Sequence, residues 1–309
     1  NKMFTTTITF NIPKILEEIL KDLQEIGAIL ILVGGCVRDY FLNIPVKDYD
    51  VEIFGIDCFD TIENSLKKFG SVKLVGKSFG VLTLRVDNYD FDFALPRREK
   101  KVGNSHQDFE IITNANLSFK EAAMRRDFTI NAIGYDFINK EFLDPFNGLS
   151  DLKARVIKHI DDNTFIEDSL RVYRAVGFAS RFNFKLEEKT KELCKQIVLE
   201  DELKYLPKER VFEEFKKLFL KSIKPSIGFE LIYELGILKY FPELKALIGC
   251  IQDKEYHPEG DVWIHTMMCL DEMARIIKEE KIDDEYKKLY LFYSVLCHDL
   301  GKPFCTQEI

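Results

Sequence analysis

The chain has 309 residues, 46% of them hydrophobic and 31% charged, which is enough for about two domains with real cores. No apolar stretch approaches the ~20 residues of a membrane crossing, and seven cysteines without a Cys-x-x-Cys pair fit neither a disulfide framework nor a cysteine-built zinc site. The opening residues do not read as a signal peptide, so a reducing cytoplasm is the expected home. A net charge of −8 excludes indiscriminate polyanion binding but leaves room for local basic clusters, such as Arg97, Arg98, Lys100 and Lys101, and Arg125 with Arg126.

The first nine residues read as a frayed terminus. Apolar residues at Ile12, Ile15, Leu16, Ile19, Leu20, Leu23 and Ile26 have helical spacing, and Gly27 stops the pattern. Ala28 to Val33 is a short apolar run ended by Gly34-Gly35, which predicts a buried strand turning into a short helix over Cys36 to Leu42. Strand patterns follow at Tyr49 to Phe54, Val72 to Val75, Gly80 to Val86 and Tyr89 to Leu95, with a helix at Phe59 to Phe69. Ile133 to Phe137 and Glu141 to Leu143 predict a hairpin. Strand signals then fade, and helices are expected at Leu170 to Phe182, Glu187 to Leu199, Lys208 to Leu220, Ser226 to Leu235, Val262 to Lys278 and Tyr286 to Leu296. The expected fold class is α+β, with a mixed-sheet head over 1–150 and an all-α remainder.

Three constellations carry chemistry. Gly34-Gly35 at a strand-to-helix turn lets backbone N–H groups approach an anion, with Arg38 as a nearby cation; a plain turn is the structural alternative. Asp48 and Asp50, at i and i+2 on a strand, share a face, and two carboxylates so close suit Mg²⁺ completed by substrate phosphates. An isolated Asp-x-Asp is otherwise a solvated strand end. Asp90 and Asp92 repeat the spacing on a later strand and offer a third carboxylate.

Val33-Gly34-Gly35-Cys36-Val37-Arg38-Asp39 followed by Lys47-Asp48-Tyr49-Asp50 resembles the GGxVRD and DxD signature of the tRNA nucleotidyltransferase and bacterial poly(A) polymerase family, with Cys36 in place of the commoner alanine. The resemblance implies a polymerase-β-like nucleotidyltransferase head, Asp48 and Asp50 as catalytic ligands of Mg²⁺, Asp92 as a possible third carboxylate, and Gly35 and Arg38 as nucleotide-binding positions. Arg125-Arg126-Asp127-Phe128-Thr129-Ile130-Asn131-Ala132 resembles the family's RRDFTINA motif, implying that Arg126 and Asp127 contact the nucleotide; Asp127 is equally placed to cap the next turn. Phe93 to Gly103 is similar to the flexible loop of enzymes that also add the terminal adenosine, and otherwise reads as a charged hairpin tip.

Asp168, Arg171 and Arg174, at i, i+3 and i+6, are expected broadly along one helical face, where a salt bridge with a cap is the structural alternative. Cytosine and adenine each pair an amino donor with an unprotonated ring nitrogen, so a carboxylate beside a guanidinium selects them over guanine and uracil without a template. The segment resembles the family's EDxxRxxR motif, which implies that role for Asp168 and Arg171, with Arg174 assisting.

His257-Pro258-Glu259-Gly260-Asp261, His265 and His298-Asp299 gather imidazoles and carboxylates suited to a divalent transition metal. The string resembles the start of an HD phosphohydrolase domain, implying His265, His298 and Asp299 as metal ligands. The sequence ends a few residues later, so a truncated domain without its further ligand is expected.

The expected organisation is therefore a head over 1–150, an all-α body over 151–255 for base selection and RNA binding, and a partial HD domain over 256–309. The expected activity is template-independent addition of the 3′-terminal CCA to tRNA from CTP and ATP, with Mg²⁺, no membrane partner, and an oligomeric state that the sequence leaves open. Alternatives are a poly(A) polymerase or A-adding relative, and an HD phosphohydrolase with a nucleotide-sensing head. Phosphatase or 2′,3′-cyclic phosphodiesterase activity is an expectation for a complete HD domain.

Overall fold

The computed structural model describes residues 10–75, 80–101, 109–114 and 116–305. The chain divides into two compact units, 1–153 with 159–164, and 154–158 with 165–309, so the boundary falls within a few residues of the expected cut. The segments expected over 151–255 and 256–309 lie together in the second unit rather than in two.

In the head, α1 (Lys14–Glu25) leads into β1 (Ile29–Val33), α2 (Gly35–Phe41), β2 (Asp48–Phe54), α3 (Phe59–Leu66), β3 (Ser71–Val75), β4 (Val81–Val86) and β5 (Tyr89–Ala94). There follow the β6 (Arg97–Lys101) and β7 (Phe109–Thr113) hairpin, α4 (Phe119–Ala123), β8 (Gly134–Asp136), β9 (Glu141–Leu143) and α5 (Gly148–Ala154). Seven strands form one mixed sheet in the order β3-β4-β5-β2-β1-β8-β9. Leu16, Ile19, Leu20 and Leu23 of α1 are fully buried, as their helical spacing requires, and α1 packs on β1 and α3. On β2 the outer residues Asp48 and Asp50 are exposed while Tyr49, Val51 and Ile53 are buried, the period-two pattern of a strand with one wet face.

β2 lies inside the sheet, antiparallel to β1 and parallel to β5, with Asp48 opposite Asp90 and Asp50 opposite Asp92. That register brings four carboxylates, separated by forty residues of sequence, onto two adjacent strands. The β6–β7 hairpin takes up much of the segment read as a flexible loop; Val102 and Gly103 lie outside the described residues, as do residues 1–9.

The second unit contains β10 (Val156–Ile157), paired in parallel with β11 (Lys185–Leu186), two short strands that the sequence pattern does not signal. α6 (Asp162–Glu167) precedes α7 (Leu170–Phe182), and α8 (Glu188–Leu199), α9 (Lys208–Lys221), α10 (Pro225–Glu234), α11 (Pro242–Lys245), α12 (Val262–Glu279), α13 (Glu285–Cys297) and α14 (Lys302–Cys305) follow. α7 packs on α9 and α10, α12 on α10 and α13, and α9 on α13. Aromatic rings fill this core, including Phe219 and Phe292 stacked with centroids 5.1 Å apart. No helix among the described residues is long and apolar enough to cross a membrane.

Candidate active site

The β1–α2 turn is built on Gly34, whose φ of 72° and ψ of −133° fall where only glycine is unstrained. A Cβ there would stand 3.2 Å from Arg126 Nη1 and 3.5 Å from Asp50 Oδ2. The turn, the Asp50 carboxylate and the Arg126 guanidinium therefore meet at one place. α2 is only seven residues long, so what the turn contributes is close backbone approach more than a helix dipole.

Asp48, Asp50, Asp90 and Asp92 line an open cavity of about 720 Å³ with Lys73, Thr83 and Arg85 on its far side. Asp90 faces Arg85 at 3.4 Å, whereas Asp92 accepts a 2.5 Å hydrogen bond from Thr83 Oγ1 and stands opposite Asp50. Of the two later aspartates, Asp92 is thus the one paired with the catalytic candidate. The Asp50 carboxyl is pushed up to about 6, first by desolvation and then by the like charges of Asp92, Asp48 and Glu52, against the pull of Arg126. A carboxyl so destabilised as an anion is one that a cation would relieve, and the oxygen-only donor set suits a hard divalent ion.

Glu52 is the member of this constellation that sequence reasoning missed, although it simply continues the alternation of Asp48 and Asp50. It is 2% exposed, accepts a short hydrogen bond from Arg126 Nη2, and lies 3.9 Å from Arg125 Nη2. Burial works against the Arg126 charge, but Glu52, then Asp50 and Asp127, more than offset it and raise the pKa of the guanidinium.

Arg38 and Asp127 are joined in one buried network. Arg38 is buried, with Nε and Nη2 donating to Asp39 Oδ1 at 2.8 and 2.7 Å and Nη1 donating to Asn131 Oδ1 at 2.6 Å. Asn131 Nδ2 in turn donates to Asp127 Oδ1 at 2.9 Å, and that oxygen also accepts from the Phe128 amide at 2.8 Å. Both side chains brace the turn at residues 127–131 against α2, so Arg126 rather than Arg38 is the guanidinium beside Gly34. Gly35 begins α2, and a Cβ there would stand 3.4 Å from Arg38 Nη2.

In the second unit Asp168 precedes the N-cap Ser169 of α7, and its carbonyl accepts from the Arg171 amide at 3.0 Å. Its Oδ1 accepts from the Leu170 amide at 3.1 Å, and its Oδ2 lies 3.6 Å from Nη2 of Arg210 on α9, a partner that no local spacing signals. Arg171 lies in the first turn, and the Arg174 guanidinium carbon stands 5.2 Å from the centre of the Phe178 ring.

His265, His298 and Asp299 lie together. The two imidazole Nε2 atoms are 3.4 Å apart, and Asp299 Oδ2 is 3.2 Å from His298 Nε2 and 3.9 Å from His265 Nε2. Glu259 Oε1 accepts from His265 Nδ1 at 2.6 Å and from His257 Nδ1 at 3.1 Å. A backbone N–H at Glu259 itself, and then His257 and His265, hold the Glu259 carboxyl below its ordinary range. Cys269, four residues after His265 on α12, places its Sγ 3.4 Å from His265 Nε2; it was not singled out in the sequence, and the i, i+4 spacing was the available signal.

An acidic row beside a glycine turn, on a mixed sheet of this order, is the arrangement of a nucleotidyltransferase head. Residues 30–158 match the poly A polymerase head domain, and residues 183–248 match the region described as the probable RNA and SrmB-binding site of polymerase A. The chain belongs to the family shared by bacterial poly(A) polymerases and CCA-adding tRNA nucleotidyltransferases. It is 38% identical over 282 residues to the multifunctional CCA protein of Mannheimia succiniciproducens, covering 90% of this chain and 64% of that protein. The multifunctional CCA protein of Haemophilus ducreyi is 35% identical over 282 residues, with coverage of 90% and 65%. The chain thus spans a little under two thirds of these curated relatives. A tRNA-processing enzyme in an apo form is similar at 27% identity and TM-score 0.65, over 94% of this chain and 77% of that one. A CCA-adding enzyme in complex with ATP is similar at 25% identity and TM-score 0.65, over 96% and 68%.

Proposed function

We propose that this chain adds the 3′-terminal CCA to tRNA from CTP and ATP, without a nucleic-acid template. In each step the primer 3′-oxygen forms a bond to the α-phosphorus while the bond to pyrophosphate breaks, and the hydroxyl proton leaves. The observation that carries this reading is the in-register pairing that sets Asp48 and Asp50 beside Asp90 and Asp92, next to Gly34 and Arg126. Relatives called multifunctional CCA proteins, 35–38% identical over 90% of the chain, support the choice of substrate.

Asp48 and Asp50, with Asp92 alongside, are the residues that would hold Mg²⁺. When bound, that ion lowers the pKa of the attacking hydroxyl and neutralises charge on the triphosphate. Gly34 and Gly35 give the phosphates close access to the backbone, and Arg126, held by Glu52, supplies a fixed positive charge beside them. Asp127 and Arg38 keep that turn in shape. Asp168 accepts from the exocyclic amino group of C or A while Arg171 donates to the ring nitrogen, with Arg174 assisting and Arg210 steadying the Asp168 carboxylate. The helical unit grips tRNA by shape and phosphates. Residues 256–309 correspond to the first part of an HD phosphohydrolase domain, a reading favoured by the convergence of His265, His298 and Asp299.

The experiment is incorporation of each of the four nucleotides onto tRNA ending at its discriminator base, in C, and in CC. Successive C, C and A addition is expected. Adenosine without prior cytidine would favour the poly(A) or A-adding alternative, and transfer surviving Asp48→Ala with Asp50→Ala would remove the mechanism.

A further inference from the structure

We propose that Cys269 is itself a ligand of the divalent metal held by His265 and His298, so that this site takes a thiophilic ion such as Zn²⁺ rather than Mg²⁺. The argument stands on the helical unit alone, so its failure would leave the nucleotidyl-transfer reading untouched.

The tautomers are fixed from behind. His265 Nδ1 meets the Glu259 carboxylate at 2.6 Å and His298 Nδ1 meets the Val295 carbonyl, both acceptors only, so each Nδ1 carries the proton. In the neutral imidazole each Nε2 then presents a lone pair, and the two stand 3.4 Å apart, with Asp299 Oδ2 3.2 Å from one of them. A proton could satisfy one pair of these atoms, whereas a metal ion satisfies all of them. Lys302 Nζ, 2.8 Å from Asp299 Oδ2, offsets part of the carboxylate charge.

Cys269 completes the set. His265 and Cys269 are one helical turn apart on α12, so the backbone itself holds Nε2 and Sγ together at 3.4 Å. The Sγ and the two Nε2 atoms all lie within 4.8 Å of one another. In tetrahedral zinc, with bonds of about 2.0–2.1 Å to nitrogen and about 2.3 Å to sulfur, neighbouring donors stand roughly 3.3–3.5 Å apart. The separations of both Cys269 Sγ and His298 Nε2 from His265 Nε2 match those edges. Two imidazoles and a sulfur favour a borderline-soft transition ion, while Mg²⁺ seeks oxygen alone. On binding, the Cys269 proton leaves to solvent as the sulfur–metal bond forms.

The 309-residue chain, without a histidine tag and stripped of metal by a chelator, is titrated with Co²⁺ and followed by absorption. A thiolate-to-cobalt charge-transfer band in the near ultraviolet is expected, beside visible bands of a tetrahedral ion. Cys269→Val and Cys269→Asp should both lose the near-ultraviolet band, and Cys269→Asp should keep the visible bands because a carboxylate replaces the sulfur. In competition with a chromophoric chelator, Cys269→Val should bind Zn²⁺ at least about tenfold more weakly. Cys297→Ala, which removes the exposed thiol beside His298, should leave the band in place. A wild-type cobalt form without the band, a band that survives Cys269→Val, or one abolished by Cys297→Ala would overturn the proposal, leaving Cys269 as a hydrogen-bond partner of His265. Circular dichroism checks the fold of Cys269→Val, and Cys269→Asp carries the test if that variant fails to fold.

Discussion

Replacing Glu52 with glutamine probes the least visible part of the acidic row. Gln keeps the shape and one acceptor oxygen for Arg126 but removes the charge that this buried guanidinium depends on. Removing one partner of a buried ion pair costs about 3–5 kcal/mol. Asp50 and Asp127 still act on Arg126, which places Glu52→Gln at the low end, about 3 kcal/mol. At about 2–4 °C per kcal/mol for a unit of this size, the head should melt about 6–12 °C lower. The single tryptophan, Trp263, lies in the second unit, so its fluorescence would report the wrong transition. Hydrogen exchange at the β2 amides under increasing urea reads the head directly. The double variant Glu52→Gln with Arg126→Met should recover part of the loss, because the Glu52–Arg126 pair is then removed whole. A single-variant cost below about 1 kcal/mol, or a coupling below about 0.5 kcal/mol in the cycle, would refute the dependence of Arg126 on Glu52.

Gly34→Ala should destabilise the head by about 1–3 kcal/mol, since alanine strains at a φ of 72°, and should raise the KM for nucleotide by crowding Arg126; denaturant midpoints and initial rates measure the two effects, and a wild-type KM would count against the turn as a phosphate cradle. Asp168→Ala should lower the preference for C and A over U and G by about tenfold or more, the worth of a charged hydrogen bond, with little change in stability because its pair with Arg210 is half exposed; competition between nucleotides on one primer decides it, and unchanged base choice would speak against the role. Asp201, held well below the carboxylate range by Lys204, Tyr240 and Lys239, contributes stability above the unfolded pKa of about 3.9 that is lost as pH falls. Asp201→Asn, which tolerates the same left-handed backbone, should therefore melt lower than wild type at pH 7, by a gap that narrows as pH falls from about 4 toward 2; a constant gap across that range would contradict the linkage.

The elements with a strong period were legible from sequence to within a residue or two: α7 spans the expected Leu170–Phe182, and the four strands from β2 to β5 fall where alternation places them. Short pieces such as β10 and β11 carry too few residues for any period to show, and they form because another segment lies beside them. The same division holds at the site. Asp48 and Asp50 were readable because their partnership is local. The placement of Asp92 beside Asp50 needed a parallel pairing that only topology supplies, and Arg210 reaches Asp168 from another helix. Arg38 was expected as a cation facing the ligand, but sequence spacing does not say which way a side chain turns, and Asp39 and Asn131 draw it inward.

The strand that bears Asp48 and Asp50 is hydrogen-bonded along both flanks, to β1 on one side and β5 on the other. Shifting Asp50 would mean breaking ladder bonds on two neighbours at once, and Asp48 is paired along β5, so the carboxylate row behaves as a fixed anvil. Under the proposed CCA addition, which takes a pyrimidine twice and then a purine while the primer lengthens, adjustment falls to loops and helices outside the sheet. Changes that alter the tally of nucleotides added should accordingly cluster there, and changes on the strand itself should stop the reaction outright.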